Sequence, residues 1–390
     1  MHIVHIAAFA GLGGVERRLI EYVSEVDDGN KHTLIAIDPA ADVEEMLAAS
    51  DCKYQIVRRR VRIDPTFPLR LAWLIKRHSP DVIYCRGFTS ALWVSLGPPI
   101  FRSVQRVRSE HGSLIFHGKL RRLLERFINW RFDKVVTVSS AMAVEINVRL
   151  GVPKDDIEVI SYGLVADDQH SSLRVGKSEN SSDGYPVIGT IANFHSIKNI
   201  ISLVDSAPAI LDRYPDCRFV LVGGDVGSGN SERFRARIRE LGVEDSFVFT
   251  GQLADARQAL STFDVFVLPS VFESFGAVVV EAMLAGVPVI AADIGAMREL
   301  IEDGINGVLV EPTEPFKSDE ISTVVSPVTG QLEPARAVGS DALASAVIKM
   351  IGNLGEWTEI AKSVQEEASQ RFSFGAYQDR MAAFYRRAVE

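Results

Sequence analysis

The chain has 390 residues, 47% of them hydrophobic, and a formal net charge of −9. This length suits two domains of ordinary size, the composition predicts folded cores, and no apolar run is long enough to span a membrane. The N-terminus lacks the basic segment of a secretory signal. The cysteines are few and far apart, which argues against a disulfide framework or a cysteine metal site and favours a reducing, cytoplasmic setting: Cys52, Cys85 and Cys217.

Charge is distributed unevenly along the chain. Residues 1–165 carry 23 Lys+Arg and 19 Asp+Glu, whereas the remainder carries 19 and 32. Within residues 52–150 there are 19 basic and 6 acidic residues, a balance of +13. This basic charge predicts that the first half of the chain binds an anionic partner. Nucleic acid is the weakest candidate, because the aromatic residues there lie on helical faces and the whole chain is acidic.

The first half begins with a buried strand at residues 2–9, a glycine turn at 10–14 and a helix at 15–26. Strands and helices then alternate to residue 165, which predicts a parallel α/β domain. The turn lacks a full G-x-G-x-x-G pattern, so a nicotinamide-dependent oxidoreductase is only an alternative interpretation. His111 follows the strand at residues 104–109, at the carboxyl end where parallel sheets bind ligands.

Residues 119–134 predict an amphipathic helix, with an apolar stripe that consists of Leu120, Leu123, Leu124 and Phe127. Arginines form its polar face, and residues 58–62 form a second basic cluster. One interpretation is contact with an anionic membrane or a phosphate-bearing acceptor. The other, which we favour for the stripe itself, is packing of the stripe on the sheet of its own domain.

A polar, serine-rich stretch at residues 166–185 predicts a linker after a first domain at residues 1–165. The same alternation resumes in a second domain at residues 186–370. Residues 313–338 are expected to form an irregular inserted loop. A last helix within residues 371–390 ends the chain.

The most informative stretch runs from residue 264 to residue 299. It predicts a buried strand at 264–269, a loop at 270–274, a helix from Phe275 to about residue 285 and a second strand at 287–292. Glu273 and Glu281 would lie about 12 Å apart if the residues between them are helical, at about 1.5 Å per residue. The amides of Phe275, Gly276 and Ala277 lie between them at a helix N-terminus, which favours an anion. This segment therefore offers carboxylates for sugar and ribose hydroxyls and amides for phosphate.

The sequence ESFGAVVVEAMLAGVPVI, with seven residues between Glu273 and Glu281, resembles the signature of retaining glycosyltransferases of family 4. That resemblance implies the GT-B class, an α/β fold with two Rossmann-like parallel-sheet domains facing across a cleft. It also implies that the last helix crosses back to pack on the first domain.

The same resemblance implies roles for other residues. Gly13 and Gly14 resemble the GGxE turn that approaches the donor diphosphate, and His111 resembles the TxHG histidine that faces the donor sugar. Lys198 resembles the cation that neutralises the diphosphate. Catalytic roles fall to Glu273 and His111. The residues assigned to donor binding are Gly13, Gly14, Asn193, Lys198, Gly223, Leu253, Ser274, Phe275, Gly276, Ala277 and Glu281.

We find no D-x-D motif and expect no metal or other cofactor, with Lys198 and backbone dipoles in the metal's place. The expected partners are a UDP-sugar or GDP-sugar and a glycan or lipid-linked acceptor in surface polysaccharide or glycolipid synthesis, with peripheral contact at the inner face of the cell membrane. The family usually has an arginine shortly before the lysine, where this chain has Asn193, Phe194 and His195. A GT-B-shaped protein that binds a sugar nucleotide without turnover is therefore the second hypothesis.

Overall fold

The computed structural model describes residues 1–9, 11, 14–98, 104–112, 119–164, 185–225, 227, 229–253, 255–316, 318, 321–326 and 328–389, with the backbone alone at residues 14, 15 and 119. The chain divides into two compact units. The first comprises Met1–Val165 with Ser373–Glu390, and the second comprises Ala166–Phe372.

The first unit is built on a parallel sheet. Its described strands are β1 (His2–Ala8), β2 (Lys31–Ile37), β3 (Tyr54–Val57), β4 (Val82–Arg86), β5 (Gln105–Glu110), β6 (Lys134–Thr137) and β7 (Ile157–Val159). They lie in the order β3-β2-β1-β4-β5-β6-β7. The central strands are continuous apolar runs because both faces of the sheet are covered by helices.

Helices cover the two faces of this sheet. They are α1 (Gly14–Glu25), α2 (Ala41–Ala49), α3 (Phe67–His78), α4 (Gly87–Ser95), α5 (Lys119–Trp130) and α6 (Ser140–Leu150). Ile3 points into a core with α1 and α2, whereas its neighbour Val4 points into a second core with α3, α4 and α5. This alternation is the two-residue period of a strand with both faces buried.

The predicted packing of the α5 stripe on its own sheet is wrong. Leu120, Leu123 and Phe127 are exposed, and only Leu124 is partly covered. The inner face of α5 instead carries Ile128 and a fully buried glutamate, Glu125. The physical reason is that β5 presents a buried arginine, which requires a carboxylate from the covering helix.

The second unit repeats this architecture. Its described parallel strands are β8 (Val187–Ile191), β9 (Arg218–Val222), β10 (Phe247–Gly251), β11 (Val265–Leu268), β12 (Val289–Ala292) and β13 (Val308–Val310), in the order β10-β9-β8-β11-β12-β13. Its helices are α7 (Ile200–Arg213), α8 (Asn230–Leu241), α9 (Ala277–Leu284), α10 (Met297–Leu300), α11 (Ser340–Gly352) and α12 (Leu354–Arg371). The predicted pair of Rossmann-like parallel-sheet domains is thus confirmed.

Two local expectations in this unit need correction. Helix α9 begins at Ala277 and not at Phe275, because Gly276 has φ +83° and therefore lies outside the helix. Residues 313–338 are not wholly irregular. They form two short antiparallel pairs, β14 (Glu314–Pro315) with β17 (Arg336–Ala337) and β15 (Thr323–Val325) with β16 (Leu332–Pro334).

The last helix, α13 (Phe374–Val389), belongs to the first unit. Its buried residues Tyr377, Met381 and Tyr385 join the core beneath α1 and α2. Gly163 allows the close approach, since a Cβ there would lie 2.4 Å from Cβ of Tyr377. None of the helices in the described residues combines the length and the apolarity that crossing a bilayer requires.

Candidate functional site

Both sheets have a point where the strand order reverses. In the first unit this point lies between β1 and β4, and in the second it lies between β8 and β11. The loops that leave neighbouring strands there run in opposite directions, which opens a crevice at the carboxyl ends of the strands. Most of the predicted site residues follow strands at these two points.

In the second unit the switch point brings Lys198 and Glu273 together. Lys198 ends a 3₁₀ turn after β8, and Glu273 lies in the loop after β11. The Nζ of Lys198 donates to Oε1 of Glu273 at 2.6 Å, and Oγ of Ser270 donates to the same oxygen at 2.9 Å. Both ends of the ion pair remain partly accessible, so a ligand can reach them.

Other contacts fix the two loops that carry this pair. The amide of Val271 donates to the carbonyl of Ile197 at 2.7 Å. Asn199, which has φ 48°, donates from Nδ2 to the carbonyls of Pro269 and Val338 at 3.2 and 3.3 Å. The ion pair is therefore built on a supported frame and not on two independent loops.

The N-terminus of α9 adjoins Glu273, and the chain packs so closely there that two positions admit only glycine. A Cβ on Gly276 would lie 2.2 Å from Cε of Met297, and a Cβ on Gly295 would lie 2.6 Å from the carbonyl oxygen of Glu273. The amide of Val279 donates to the carbonyl of Gly276 at 2.9 Å, and the N–H groups before it point toward the loop end, as at other helix N-termini. Glu281 lies farther along the same helix, in its second turn.

Phe275 and Ser274 join Glu273 to this helix. The ring of Phe275 is buried and meets Phe372 edge to face, with centroids 6.0 Å apart. The side chain of Phe275 therefore anchors the loop, and the predicted amide role concerns its backbone.

Gly223 lies at the carboxyl end of β9, next to the loop that follows β8. Its φ is +128°, and a Cβ there would lie 1.9 Å from the carbonyl oxygen of Ala192. Asn193 and Leu253, in the loops after β8 and β10, have exposed side chains. Phe194 is buried in the core, and its uncharged ring supplies no cation in place of the family's arginine.

The first unit has a cavity of about 460 Å³ at its switch point. It is lined by the carboxyl ends of β1, β4 and β5 and by the start of α4. The polar lining groups are Glu16, Arg86, Thr89, Glu110 and His111. The structure places His111 in this cavity, as its position after β5 predicts. Gly13 lies outside the described residues, and Gly14 begins α1.

His111 stacks on Tyr162, with ring centroids 5.2 Å apart and planes 22° apart. The guanidinium carbons of Arg18 and Arg86 lie 5.1 and 5.9 Å from the centroid of Tyr162. Burial lowers the pKa of His111 well below its usual value, and the charges of Arg86 and Arg18 lower this pKa further. His111 is therefore a neutral imidazole at pH 7, able to donate from one ring nitrogen and accept at the other.

A buried ion network supports the strand end that presents His111. Arg108 is fully buried and contacts Glu110 at 2.5 Å and Glu125 of α5 at 2.6 Å. The amide of Gly112 donates to Oε1 of Glu110 at 3.2 Å. The network therefore links α5 to the backbone turn on which His111 lies.

Sequence reasoning missed several of these residues. Ser270, Gly295, Arg86 and Tyr162 all contact or line the two sites. The only sequence signal that could have identified these residues is their position at the end of a strand or next to a motif. Within the described ranges, no group of three or more His, Cys, Asp and Glu residues could hold a metal ion.

Two family models match complementary parts of the chain. Residues 12–167 match the family described as Glycosyltransferase Family 4, and residues 185–325 match Glycosyl transferases group 1. The first range covers the cavity with His111, and the second covers Lys198, Glu273 and Glu281.

Curated relatives agree with these matches over part of their length. An uncharacterized glycosyltransferase of Methanocaldococcus jannaschii is 29% identical over 201 residues, which are 49% of this chain and 50% of the relative. A D-inositol 3-phosphate glycosyltransferase of Acidothermus cellulolyticus is 30% identical over 199 residues, which are 47% of this chain and 44% of the relative. The chain thus spans about half the length of the curated relatives it matches.

A solved structure extends the fold comparison to nearly the whole chain. The Anabaena protein HepE in complex with UDP superposes with a TM-score of 0.78 and 23% identity, covering 98% of this chain and 99% of HepE. At this identity the likeness concerns the fold. The two family models therefore show that residues 12–167 are similar to family 4 glycosyltransferases and that residues 185–325 are similar to group 1 glycosyl transferases.

Proposed function

We propose that the protein is a retaining glycosyltransferase that moves a sugar from a nucleoside-diphosphate sugar to a hydroxyl of a glycan or lipid-linked acceptor. We place it in surface polysaccharide or glycolipid synthesis, which the resemblance to family 4 favours. The observation that carries the proposal is the contact between Lys198 and Glu273 at the switch point of the second unit, beside the N-terminus of α9. It places a cation, amide donors and a carboxylate within one short stretch of surface.

Each group at the switch point of the second unit is suited to bind a different part of a nucleoside-diphosphate sugar. An ammonium group has three donors, so Lys198 can keep Glu273 and still bind a phosphate oxygen. The amides at residues 275–277 would bind the diphosphate, Glu281 the ribose hydroxyls and Glu273 the hydroxyls of the transferred sugar. HepE has been crystallised with UDP and with UDP-glucose, which supports a UDP-sugar here, with a GDP-sugar as the other candidate.

On the acceptor side, we assign the cavity of the first unit to the acceptor and His111 to the transferred sugar. The acceptor oxygen would bond to the anomeric carbon while the bond from that carbon to the diphosphate oxygen breaks. The electron pair of that bond goes to the diphosphate, which also takes the hydroxyl proton. Attack on the face that the diphosphate leaves retains the anomeric configuration. Lys198 and the amides would stabilise the developing charge without a metal ion.

The second hypothesis is a protein that binds a sugar nucleotide without turnover. Phe194 motivates it, because this core residue occupies part of the segment where the family usually has an arginine. Under the first hypothesis, an arginine at that position is not required for transfer.

The test is incubation of the protein with UDP- and GDP-sugars, with glycan and lipid-linked acceptors and in the presence of EDTA. We expect release of the nucleoside diphosphate, and proton NMR of the product should show the anomeric configuration of the donor. Binding without release of the diphosphate would support the second hypothesis. Loss of transfer in EDTA or an inverted product would overturn the mechanism.

We also propose that the first unit contacts an anionic membrane peripherally, on the cytoplasmic side. The balance of +13 within residues 52–150 supports this, because anionic lipids attract clustered lysine and arginine residues. A lipid-linked acceptor would then lie at the surface where the enzyme is held.

A further inference from the structure

The most apolar face of α5 points to solvent. Leu120, Leu123, Phe127 and Trp130 follow one another at spacings of three or four residues, so they lie on one side of the helix. All four are exposed, and Leu120 and Trp130 are 72% and 77% accessible. An exposed stripe of this kind on a soluble unit usually marks an interaction surface.

A second helix on the same side of the sheet, separated from α5 by α4, also has exposed apolar residues. Leu69 and Trp73, four residues apart on α3, are also exposed. Helix α4 packs against both α3 and α5, and all three bury their inner residues in the same core. Their outer residues therefore lie on one side of the sheet. We call these six residues, Leu69, Trp73, Leu120, Leu123, Phe127 and Trp130, the apolar plateau.

The loop before α3 continues the pattern. Val61 and Ile63 are exposed, and Ile63 is 81% accessible. They alternate with Arg60 and Arg62, which are exposed as well. Apolar side chains interleaved with arginines suit contact with a lipid bilayer, because its interior is apolar and its headgroup region can be anionic.

Charges around the plateau are positive. Residues 58–77 contain seven Lys+Arg and one acidic residue, and residues 119–130 contain four and one. The acidic residue of the first segment is Asp64, which is buried and paired with Arg70 at 2.6 Å. That of the second is Glu125, which is fully buried and paired with Arg108. Asp64 thus offsets Arg70, and Glu125 also pairs with Arg121 at 3.1 Å. The basic surface is carried by the other exposed cations: Arg60, Arg62, Lys76, Arg77 and Arg126.

We propose that the apolar plateau is the surface by which the first unit docks on a bilayer that contains anionic lipid. Its apolar residues would enter the interfacial region, and its arginines and lysines would contact the lipid phosphates. The guanidinium carbon of Arg77 lies 4.7 Å from the ring centroid of Trp73. This cation–π contact would keep the charge of Arg77 next to the Trp73 ring when that ring enters the bilayer interface. A two-fold contact between two plateaus would instead bring like charges together.

This inference rests on the proposed function, because docking on a membrane would bring the enzyme to a lipid-linked acceptor. Binding to vesicles requires no sugar nucleotide and can be measured without transfer. A failure of one proposal is therefore distinguishable from a failure of the other.

The experiment is co-sedimentation of the full chain with vesicles of phosphatidylcholine alone and of phosphatidylcholine mixed with phosphatidylglycerol. The apolar variant is L123S/W130S, and its matched control is I305S, an exposed apolar residue in a turn of the second unit. The charge variant is R122Q/R126Q, with R233Q on the exposed face of α8 as its control. Circular dichroism checks that each variant folds.

We expect the wild type to sediment with the anionic vesicles and not with the neutral ones. Each arginine removed should weaken binding about fivefold and flatten its salt dependence. L123S/W130S should bind at least tenfold more weakly while transferring sugar to a water-soluble acceptor at the wild-type rate, and both controls should bind like the wild type.

Equal binding of L123S/W130S and the wild type would overturn the proposal. A wild-type dimer in light scattering that becomes monomeric in L123S/W130S would also overturn it, by making a second copy of the chain the occupant of the plateau.

Discussion

Lys198 and Glu273, 75 residues apart in the chain, form an ion pair of 2.6 Å at the switch point of the second sheet. The pair holds an ammonium group in place before any phosphate arrives, and it aligns a carboxylate with Ser270 on the same oxygen. Pre-organisation of this kind reduces the cost of ordering the site when the donor binds. The pair should therefore behave as one functional unit.

The first prediction is a non-additive effect on transfer. Lys198→Ala and Glu273→Gln should each lower kcat/KM by about 10²-fold or more, because each removes a group that we propose contacts the donor. The double variant should be little slower than the slower single variant, since each substitution already breaks the pair. Steady-state kinetics of the three variants measures this, and a double effect equal to the product of the single effects would show that the residues act independently.

The second prediction concerns the backbone at the end of β9. Gly223→Ala should lower the free energy of unfolding by at least about 2 kcal/mol, because its positive φ and its contact with the carbonyl of Ala192 both exclude a Cβ. Gly242→Ala is the matched control. Its φ is +68° with no neighbouring atom within 4 Å, so only the left-handed conformation is penalised, by about 1 kcal/mol. Urea denaturation compares the two, and equal losses would refute the steric account.

The third prediction tests the network beneath the cavity. Arg108→Met should cost about 3–5 kcal/mol of stability, because it removes the buried cation between Glu110 and Glu125 and leaves Glu125 only its 3.1 Å pair with Arg121. Arg106→Met, two residues earlier on the same strand, should cost less than about 1 kcal/mol, since its ion pair with Asp133 is partly exposed. Denaturant melts of both variants decide the matter, and a loss below about 1 kcal/mol for Arg108→Met would mean that the network is not structural.

The fourth prediction is a pH dependence of stability. Burial raises the pKa of Glu145 from 4.5 to about 7, although Arg149 opposes the shift. The folded state therefore binds more protons than the unfolded state between these values, so the contribution of Glu145 to stability falls as pH rises from 4.5 to about 7. The difference in unfolding free energy between wild type and Glu145→Gln should fall by about 3 kcal/mol over this range. A difference that is constant with pH would contradict the assignment.

Local patterns were enough to predict the strand, loop, helix and strand that carry the residues we propose bind the donor. Strand β11 lies within the predicted run 264–269, because a buried parallel strand is a continuous apolar run in any context. The start of α9 was misplaced by two residues. Gly276 adopts its positive φ against Met297, a contact that only the tertiary structure creates.

Helix α5 shows a different limit. Its periodicity identified which residues share a face but not which way that face points. The inner face is partly polar because Arg108 pairs with Glu125 and donates from Nη1 to Oδ1 of Asn129 at 2.8 Å. A buried arginine on another element is invisible to the pattern of the helix itself, so the apolar stripe was assigned to the core when it faces solvent.

The most direct test of the account is calorimetric titration of the full chain with UDP and GDP, in wild type, Lys198→Ala and Lys362→Ala. Lys362 is the matched control, because it forms a Lys–Glu pair of 2.6 Å with Glu359 on the exposed face of α12. We predict that one nucleoside diphosphate binds the wild type and Lys362→Ala equally, and binds Lys198→Ala at least tenfold more weakly. Equal binding by all three proteins would contradict the claim that Lys198 holds the diphosphate.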